Sequence, residues 1–373
     1  MKKIMFLTRS LNIGGAENQM VLLATGLHKR GYDVSVAVLY PGGPFQKKLV
    51  ECGVKVHELR KRNRWDIFGF LLKLIALIKQ ESPDILHSYH VVPNLLTAIL
   101  KKLGFKSKIV WGVRCSNMNL NEYDRMARLT FKASCFLSKY ADLIIANSYS
   151  GMKYHQIHGY PKNTFKVIQN GIDTEKFTIN LTSGVKLRNQ WGISNNVRII
   201  GIVGRLDPMK NYELFIEAAI KLTELKDDVL FVCVGDGSGE YKKKLQKISK
   251  SLIDTKRIIW LGPRTDMPEI YNAFDILTNC SHTEGFPNVI GEAMSAGVPC
   301  VVTDVGDSKE IVKGNGVVID SANVESLVAG WMVMLDSILS MDNEKVRENI
   351  VINYSFKSLV DKTEVALTNL CET

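Results

Sequence analysis

Short β-rich runs alternate with helix-like segments along the whole chain, and no other feature narrows its folds as far. Six runs fall in the first half, at residues 3–7, 33–38, 55–59, 85–88, 109–113 and 143–147. Six more follow in the second, at 197–203, 229–234, 258–261, 276–278, 300–303 and 316–319. Runs of this kind, separated by segments long enough to be helices, are the pattern of parallel sheets flanked by helices. The first run of each half leads into a glycine-containing turn and then a helix. Leu7 leads into Asn12-Ile13-Gly14-Gly15-Ala16-Glu17, and Val203 into Gly204-Arg205-Leu206-Asp207-Pro208. Such sheets cradle phosphate at these positions. The pattern stops between Asn170 and Trp191, in a stretch rich in Asn, Thr, Ser and Gly, and restarts at Val197.

The predicted fold class is therefore α/β, with two Rossmann-like domains whose parallel sheets face each other across a cleft. A chain of 373 residues, 46% apolar, exceeds what one hydrophobic core organises. The composition excludes a disordered or fibrous chain. The longest apolar run, residues 67–78, is broken by Lys73 and is too short to cross a hydrocarbon layer of about 30 Å. The start has Lys2 and Lys3 but only residues 4–7 as an apolar stretch before Arg9, which lacks a signal peptide's apolar region and predicts a cytosolic protein. Seven cysteines without a C-x-x-C pair fit a reducing compartment and predict free thiols.

The net charge of +10 is unevenly held: residues 1–180 carry 27 Lys and Arg against 12 Asp and Glu, and residues 181–373 carry 21 against 26. A basic first half suits anionic lipid, nucleic acid or a phosphorylated substrate. Arg60-Lys61-Arg62-Asn63-Arg64-Trp65 runs directly into residues 66–80, where Asp66, Lys73 and Gln80 share one narrow polar face. Two readings stay open. The mostly apolar remainder favours a helix buried against its own sheet; the basic head and Trp65 also fit an anionic membrane surface.

The densest chemical signal is the stretch from Ser281 to Met294. A loop carries Glu284, and Pro287 marks a helix start whose N–H groups, at residues 288–290, offer donors and a partial positive charge to a phosphate. Glu292 lies eight residues beyond Glu284, so even a continuous helix places the two about 12 Å apart, too far to grip one metal ion. They fit opposite ends of an elongated ligand such as a sugar nucleotide; equally, Glu284 fits a solvated loop carboxylate and Glu292 a charge favoured by the helix dipole. In Gly204-Arg205-Leu206-Asp207-Pro208-Met209-Lys210-Asn211, Arg205 and Lys210 put two cations at a strand exit of the acidic half. Together they can neutralise a developing negative charge without a metal, and both also fit as solvated surface cations. Gly14-Gly15 serves either a close approach to a ligand or a tight turn. Gly235-Asp236-Gly237-Ser238-Gly239 follows a strand without matching a dinucleotide fingerprint, and fits a nucleotide-pocket wall or a turn. No Asp-x-Asp occurs, and the pairs His87/His90 and His155/His158 lack metal-ligand spacing, so no metal is expected.

Taken in order, GGAE, SPDILHSYH, NGID, GRLDPMKN and EGFPNVIGEAMSAGVPCVVTDVG resemble glycosyltransferase family 4, the retaining group of the GT-B superfamily, over essentially the whole chain. The resemblance implies an acceptor-binding domain at residues 1–175, a donor-binding domain at 176–353, and a terminal helix at 354–373 that returns to the first domain. It implies that Arg205 and Lys210 bind the donor diphosphate and stabilise the departing nucleotide, and that Glu284 lies beside the transferred sugar. Phe286, Asn288 and Val289 would offer backbone N–H groups, Glu292 would bind the ribose, Gly15 would approach the phosphate, and the base would sit near Gly235 and Arg264. No metal or other cofactor is implied; the nucleotide sugar is a substrate. One departure stands out: many relatives carry a histidine where this chain has Arg114, in WGVRCSN. Arginine is no base near neutral pH. Arg114 is assigned to an acceptor phosphate or carboxylate, with His90 sharing the polar role.

The expected function is a retaining, metal-independent transfer of a sugar from a nucleotide diphosphate donor, UDP-linked, to a lipid-linked glycan acceptor. The expected place is the cytoplasm, at the inner face of the membrane, with no nucleic acid as partner. The alternatives are a sugar-nucleotide epimerase and, further off, a nucleic-acid-binding protein, for which no recognition motif occurs.

Overall fold

The computed structural model describes residues 2–63, 66, 68–114 and 125–372. It divides into two compact units, Met1–Gly171 with Phe356–Thr373, and Ile172–Ser355. The divisions fall after residues 171 and 355, where the sequence reading put them after 175 and 353.

In the first unit the elements alternate as β1 (Lys3–Thr8), α1 (Gly15–Lys29), β2 (Asp33–Val38), α2 (Pro44–Glu51), β3 (Lys55–Glu58), α3 (Phe68–Glu81), β4 (Ile85–Tyr89), α4 (Val91–Lys102), β5 (Lys108–Val113), α5 (Arg125–Leu137), β6 (Leu143–Ala146), α6 (Tyr149–Ile157) and β7 (Phe165–Val167). The strands pair in parallel in the order β3-β2-β1-β4-β5-β6-β7. Both faces of the central strands are covered, which is why β1 and β5 read as mainly apolar runs, while β4 buries His87 and Ser88 among its apolar residues. Along β1, Ile4 and Phe6 join a core layer with Met20, Val21 and Leu27 of α1, while Met5 and Leu7 join the opposite layer with Leu74 and Ile78 of α3. The helix after the basic head thus rests on its own sheet, as the favoured reading had it; Arg64 and Trp65 lie outside the described residues. β7 was missed in the sequence. Its three half-buried residues, Phe-Lys-Val, pair only with β6 at the sheet edge and carry too little periodicity to stand out.

The second unit contains α7 (Leu181–Gln190), β8 (Arg198–Val203), α8 (Tyr212–Thr223), β9 (Val229–Val234), α9 (Gly239–Ile248), α10 (Lys250–Asp254), β10 (Ile258–Gly262), α11 (Met267–Ala273), β11 (Ile276–Asn279), α12 (Asn288–Ser295), β12 (Cys300–Thr303), α13 (Ser308–Val312), β13 (Gly316–Ile319), α14 (Val324–Ser337) and α15 (Asn343–Tyr354). Its parallel sheet has the order β10-β9-β8-β11-β12-β13. The last helix, α16 (Phe356–Glu372), belongs to the first unit. There Leu359, Val360, Ala366 and Leu367 enter the core beside α1, and Arg30 pairs with Asp361 and Glu364.

In each sheet the strand order reverses beside its first strand, between β1 and β4 and between β8 and β11. Loops leaving the carboxyl ends of such neighbours diverge and open a crevice, the usual ligand position in α/β sheets.

Candidate active site

In the second unit that crevice is made by the loop after β8 and the loop after β11. Asp207 caps a single tight turn by accepting the Met209 N–H at 3.0 Å, and Asn211, in the left-handed region at φ 55°, turns the chain into α8. Lys210 is thereby set at the strand exit, and its Nζ lies 2.5 Å from Glu284 Oε1. The same oxygen accepts the Ser281 hydroxyl at 2.8 Å and faces Asn279 Nδ2 at 3.5 Å. The Glu284 side chain is only 10% exposed. Its loop is fixed from both sides: the His282 N–H donates to the Met209 carbonyl and the Asp307 N–H to the Gly285 carbonyl, each at 2.9 Å. Gly306, at φ 62°, has no room for a side chain, since a Cβ there would lie 2.6 Å from the Glu284 carbonyl oxygen.

Phe286 and Pro287 are buried, and α12 starts at Asn288 with Pro287 as its cap. Here the structure corrects the sequence reading. The Ile290 N–H donates to the Pro287 carbonyl at 3.1 Å, because the chain enters the helix through a tight turn, so Ile290 leaves the set of three amides expected to face a phosphate. Asn288 and Val289 are half-buried in the first turn. One turn further, half-buried Glu292 accepts the hydroxyl of buried Tyr271 at 2.8 Å. Burial raises the Glu292 carboxyl above its ordinary pKa, against the Tyr271 hydroxyl and Lys176, which pull it down.

Gly235, after β9, has φ 139°, and a Cβ there would sit 1.8 Å from the Gly204 carbonyl oxygen. That oxygen also accepts the Tyr212 hydroxyl at 2.9 Å. The glycine thus lets the loops after β8 and β9 touch backbone to backbone. Two expected cations are turned to near neighbours. Arg205, 72% exposed, pairs with Asp207 at 3.0 Å, and Arg264 pairs with Asp266 at 2.5 Å. The arrangement therefore gathers Lys210 and Glu284 with two partners that the sequence reading left without a role, Asn279 and Ser281. Ser281 stands three residues before Glu284, a spacing that favours a side-chain contact across a turn. Among the described residues no three His, Cys, Asp or Glu side chains form a group able to hold a metal ion.

In the first unit Gly14 is extended (φ −166°, ψ 155°), Gly15 opens α1, and Glu17 sits in its first turn. His90 follows β4 at φ 73°, a conformation uncommon for a residue with a side chain, and its Nε2 lies 3.6 Å from Glu17 Oε1. Burial holds the His90 imidazole below its ordinary pKa; Glu17 opposes this, and Arg114 and Arg9 reinforce it. Arg114, just after β5, lies over the Tyr89 ring, 4.6 Å from its centroid. It donates to the Tyr89 hydroxyl at 2.6 Å and to Asn170 Oδ1 at 3.1 Å. Gly15, His90 and Arg114, far apart in sequence, thus all follow the carboxyl ends of neighbouring strands, β1, β4 and β5. His87, by contrast, is a core residue. It is fully buried between the Phe6 and Tyr89 rings, at 5.1 and 4.9 Å, and burial pushes its pKa down to about 3.

Comparison with known proteins adds to this geometry. Residues 13–176 match the family model described as Glycosyltransferase Family 4, and residues 185–351 the model described as Glycosyl transferases group 1. A UDP-Gal:alpha-D-GlcNAc-diphosphoundecaprenol alpha-1,3-galactosyltransferase of Escherichia coli is 30% identical, over 78% of this chain and 77% of its own length. An N-acetyl-alpha-D-glucosaminyl L-malate synthase of Bacillus anthracis is 26% identical, over 81% of this chain and 79% of its own. Among solved structures, Alr3699/HepE of Anabaena in complex with UDP superposes with a TM-score of 0.86 at 22% identity, covering 99% of this chain and all of the other.

Proposed function

The chain belongs to glycosyltransferase family 4, with the GT-B fold, and from that premise we propose that it moves a sugar from a UDP-linked donor to a lipid-linked glycan acceptor, with retention and without a metal ion. The observation that carries the reading is the Lys210–Glu284 pair at the strand-order reversal of the second unit, held by Ser281. A diphosphate entering there competes with Glu284 for the Lys210 ammonium. The lysine then offsets the negative charge that grows on the leaving nucleotide, and Arg205 joins it by leaving Asp207. Glu284, released but still held by Ser281, becomes an acceptor for sugar hydroxyls. Phe286, Asn288 and Val289 are the proposed backbone donors to sugar and phosphate. Glu292 is the proposed ribose ligand, and Gly235 and Arg264 flank the base.

Retention asks for attack on the face from which the diphosphate leaves. The departing phosphate oxygen takes the acceptor proton, so positioning matters more than a protein base. That suits Arg114, which cannot accept a proton and is the proposed ligand for an anionic group of the acceptor. Gly15 is the proposed first-unit approach to the donor phosphate, with His90 as a further polar ligand. The UDP donor draws support from the Escherichia coli relative's name and the UDP in the Anabaena structure, and the lipid-linked acceptor from the diphosphoundecaprenol in that relative's name. The basic first half adds to the second point and to a place at the cytoplasmic face of the membrane. A sugar-nucleotide epimerase gains no support from relatives named as a galactosyltransferase and a synthase.

The test is a melting-temperature screen with UDP, GDP and ADP sugars, followed by transfer assays with and without EDTA. A shift with UDP sugars alone and EDTA-insensitive turnover are expected. Turnover lost in EDTA and restored by manganese would overturn the metal-free mechanism.

A further inference from the structure

We propose that α5 is a membrane-docking element, lying in the headgroup layer of an anionic bilayer with its apolar edge inserted and its basic edge on lipid phosphates. The proposal deepens, and rests on, the reading of a lipid-linked acceptor. The helix RMARLTFKASCFL has a narrow buried seam: Phe131 packs on the Tyr154, His155 and His158 rings at 5.6–5.9 Å, and Ser134 accepts the Tyr160 hydroxyl at 2.9 Å, while α4 runs beside the helix. Much of the rest faces water. Met126, Leu129 and Phe136 are 58%, 62% and 68% exposed. With exposed Ala133 they recur at the spacing that puts side chains on one helix face. Beside that face stand exposed Arg125, Arg128 and Lys132, and α5 has no acidic residue. The same character continues beyond the helix. Lys139 Nζ lies 4.5 Å from the Phe136 ring centroid, and Lys102, at the end of α4, lies 5.7 Å from that of Tyr140.

Charge names the occupant. From Val91 to Tyr140 the sequence carries nine Lys and Arg against two acidic residues. A helix with a bare apolar edge and a cationic edge is the composition that settles in a bilayer interface and gains most from anionic lipid. A second copy of the chain is a poor partner for this face, because it would set like charges against each other.

The experiment is co-sedimentation of the full chain with vesicles of phosphatidylglycerol and phosphatidylethanolamine, and with phosphatidylcholine vesicles, at low and high salt. Binding to the anionic vesicles that weakens with salt is expected. Each cation near the surface is worth about fivefold in partitioning, so Arg128→Gln with Lys132→Gln should cost about twenty-fivefold. Leu129→Asp with Phe136→Asp should cost at least as much. A Phe136→Trp protein should show emission quenched by brominated lipid, which purely electrostatic adhesion would not give. Absence of vesicle binding by the wild type, equal binding by all variants, or a dimer that Leu129→Asp with Phe136→Asp dissolves in place of vesicle binding would each overturn the proposal. Incorporation of label from a radiolabelled UDP-sugar into the organic-soluble fraction of membranes tests the acceptor separately. Incorporation without vesicle binding sinks the docking surface alone; vesicle binding without incorporation sinks the acceptor reading alone.

Discussion

At the scale of single residues, the reading stands on one pair. Lys210→Ala should lower turnover by about a hundredfold or more, the range for removing a group that stabilises transition-state charge. Glu284→Gln keeps an acceptor for Ser281 but frees Lys210, so it should weaken transfer while leaving or improving UDP affinity; kinetics with calorimetric UDP titration separates the two effects. The histidines give a second prediction. His87 is buried neutral with its pKa near 3, and His155 is pushed down to about 4, both mainly by burial. An unfolded histidine takes up a proton near pH 6.5, so between there and the folded values the unfolded state binds more protons and stability rises with pH. Stability should therefore fall on acidification through that window, by about 1.4 kcal/mol per pH unit for each such group. Denaturant titrations of His87→Leu should show a shallower acid slope than the wild type. Residue-level roles are only half legible in the sequence. Glu284 and Lys210 stood out as a carboxylate and a cation in loops after strands, but nothing local says that residues 74 positions apart form a pair.

At the scale of elements, the site depends on how closely backbones approach. Gly235→Ala puts a Cβ against the Gly204 carbonyl and strains a backbone at φ 139°, so it should cost about 1–3 kcal/mol and displace the loop that carries Arg205 and Lys210. Gly204→Ala is the control. A Cβ there meets only the aliphatic part of Lys210, at 3.6 Å or more, and should be tolerated. Melting temperature and UDP affinity of the two variants check this; equal behaviour would remove the close-approach argument. Elements with full periodicity were legible. β1, β5, β8 and β9 are mainly apolar because both faces are covered, and that shows in a short window. β7 was not, being three residues held by one neighbour. The closed Ile290 amide was not legible either, because Pro287 signals a helix start without fixing how the chain turns into it.

At the scale of the whole molecule, α16 completes a unit that the chain left at Gly171. Leu359, Val360, Ala366 and Leu367 bury their side chains there, about 6 kcal/mol of apolar burial, which is comparable to the entire stability of a domain. Ending the chain after Ser355 should therefore unfold the first unit and leave the second able to respond to UDP. Calorimetry should show one remaining transition, raised by the nucleotide, where the full chain shows the first unit's as well. The sequence by itself determined the α/β class, the parallel strands, the division into two halves and the family, because apolar period and glycine or proline punctuation are written within a few neighbouring residues. Tertiary structure decided what each charge touches: Lys210 on Glu284, Arg205 on its neighbour Asp207, His90 beside Glu17, Arg114 on Tyr89 and Asn170. Hydrogen bonds and ion pairs act over about 3–4 Å, so their partners exist only once the strand order brings distant loops to the same end of a sheet.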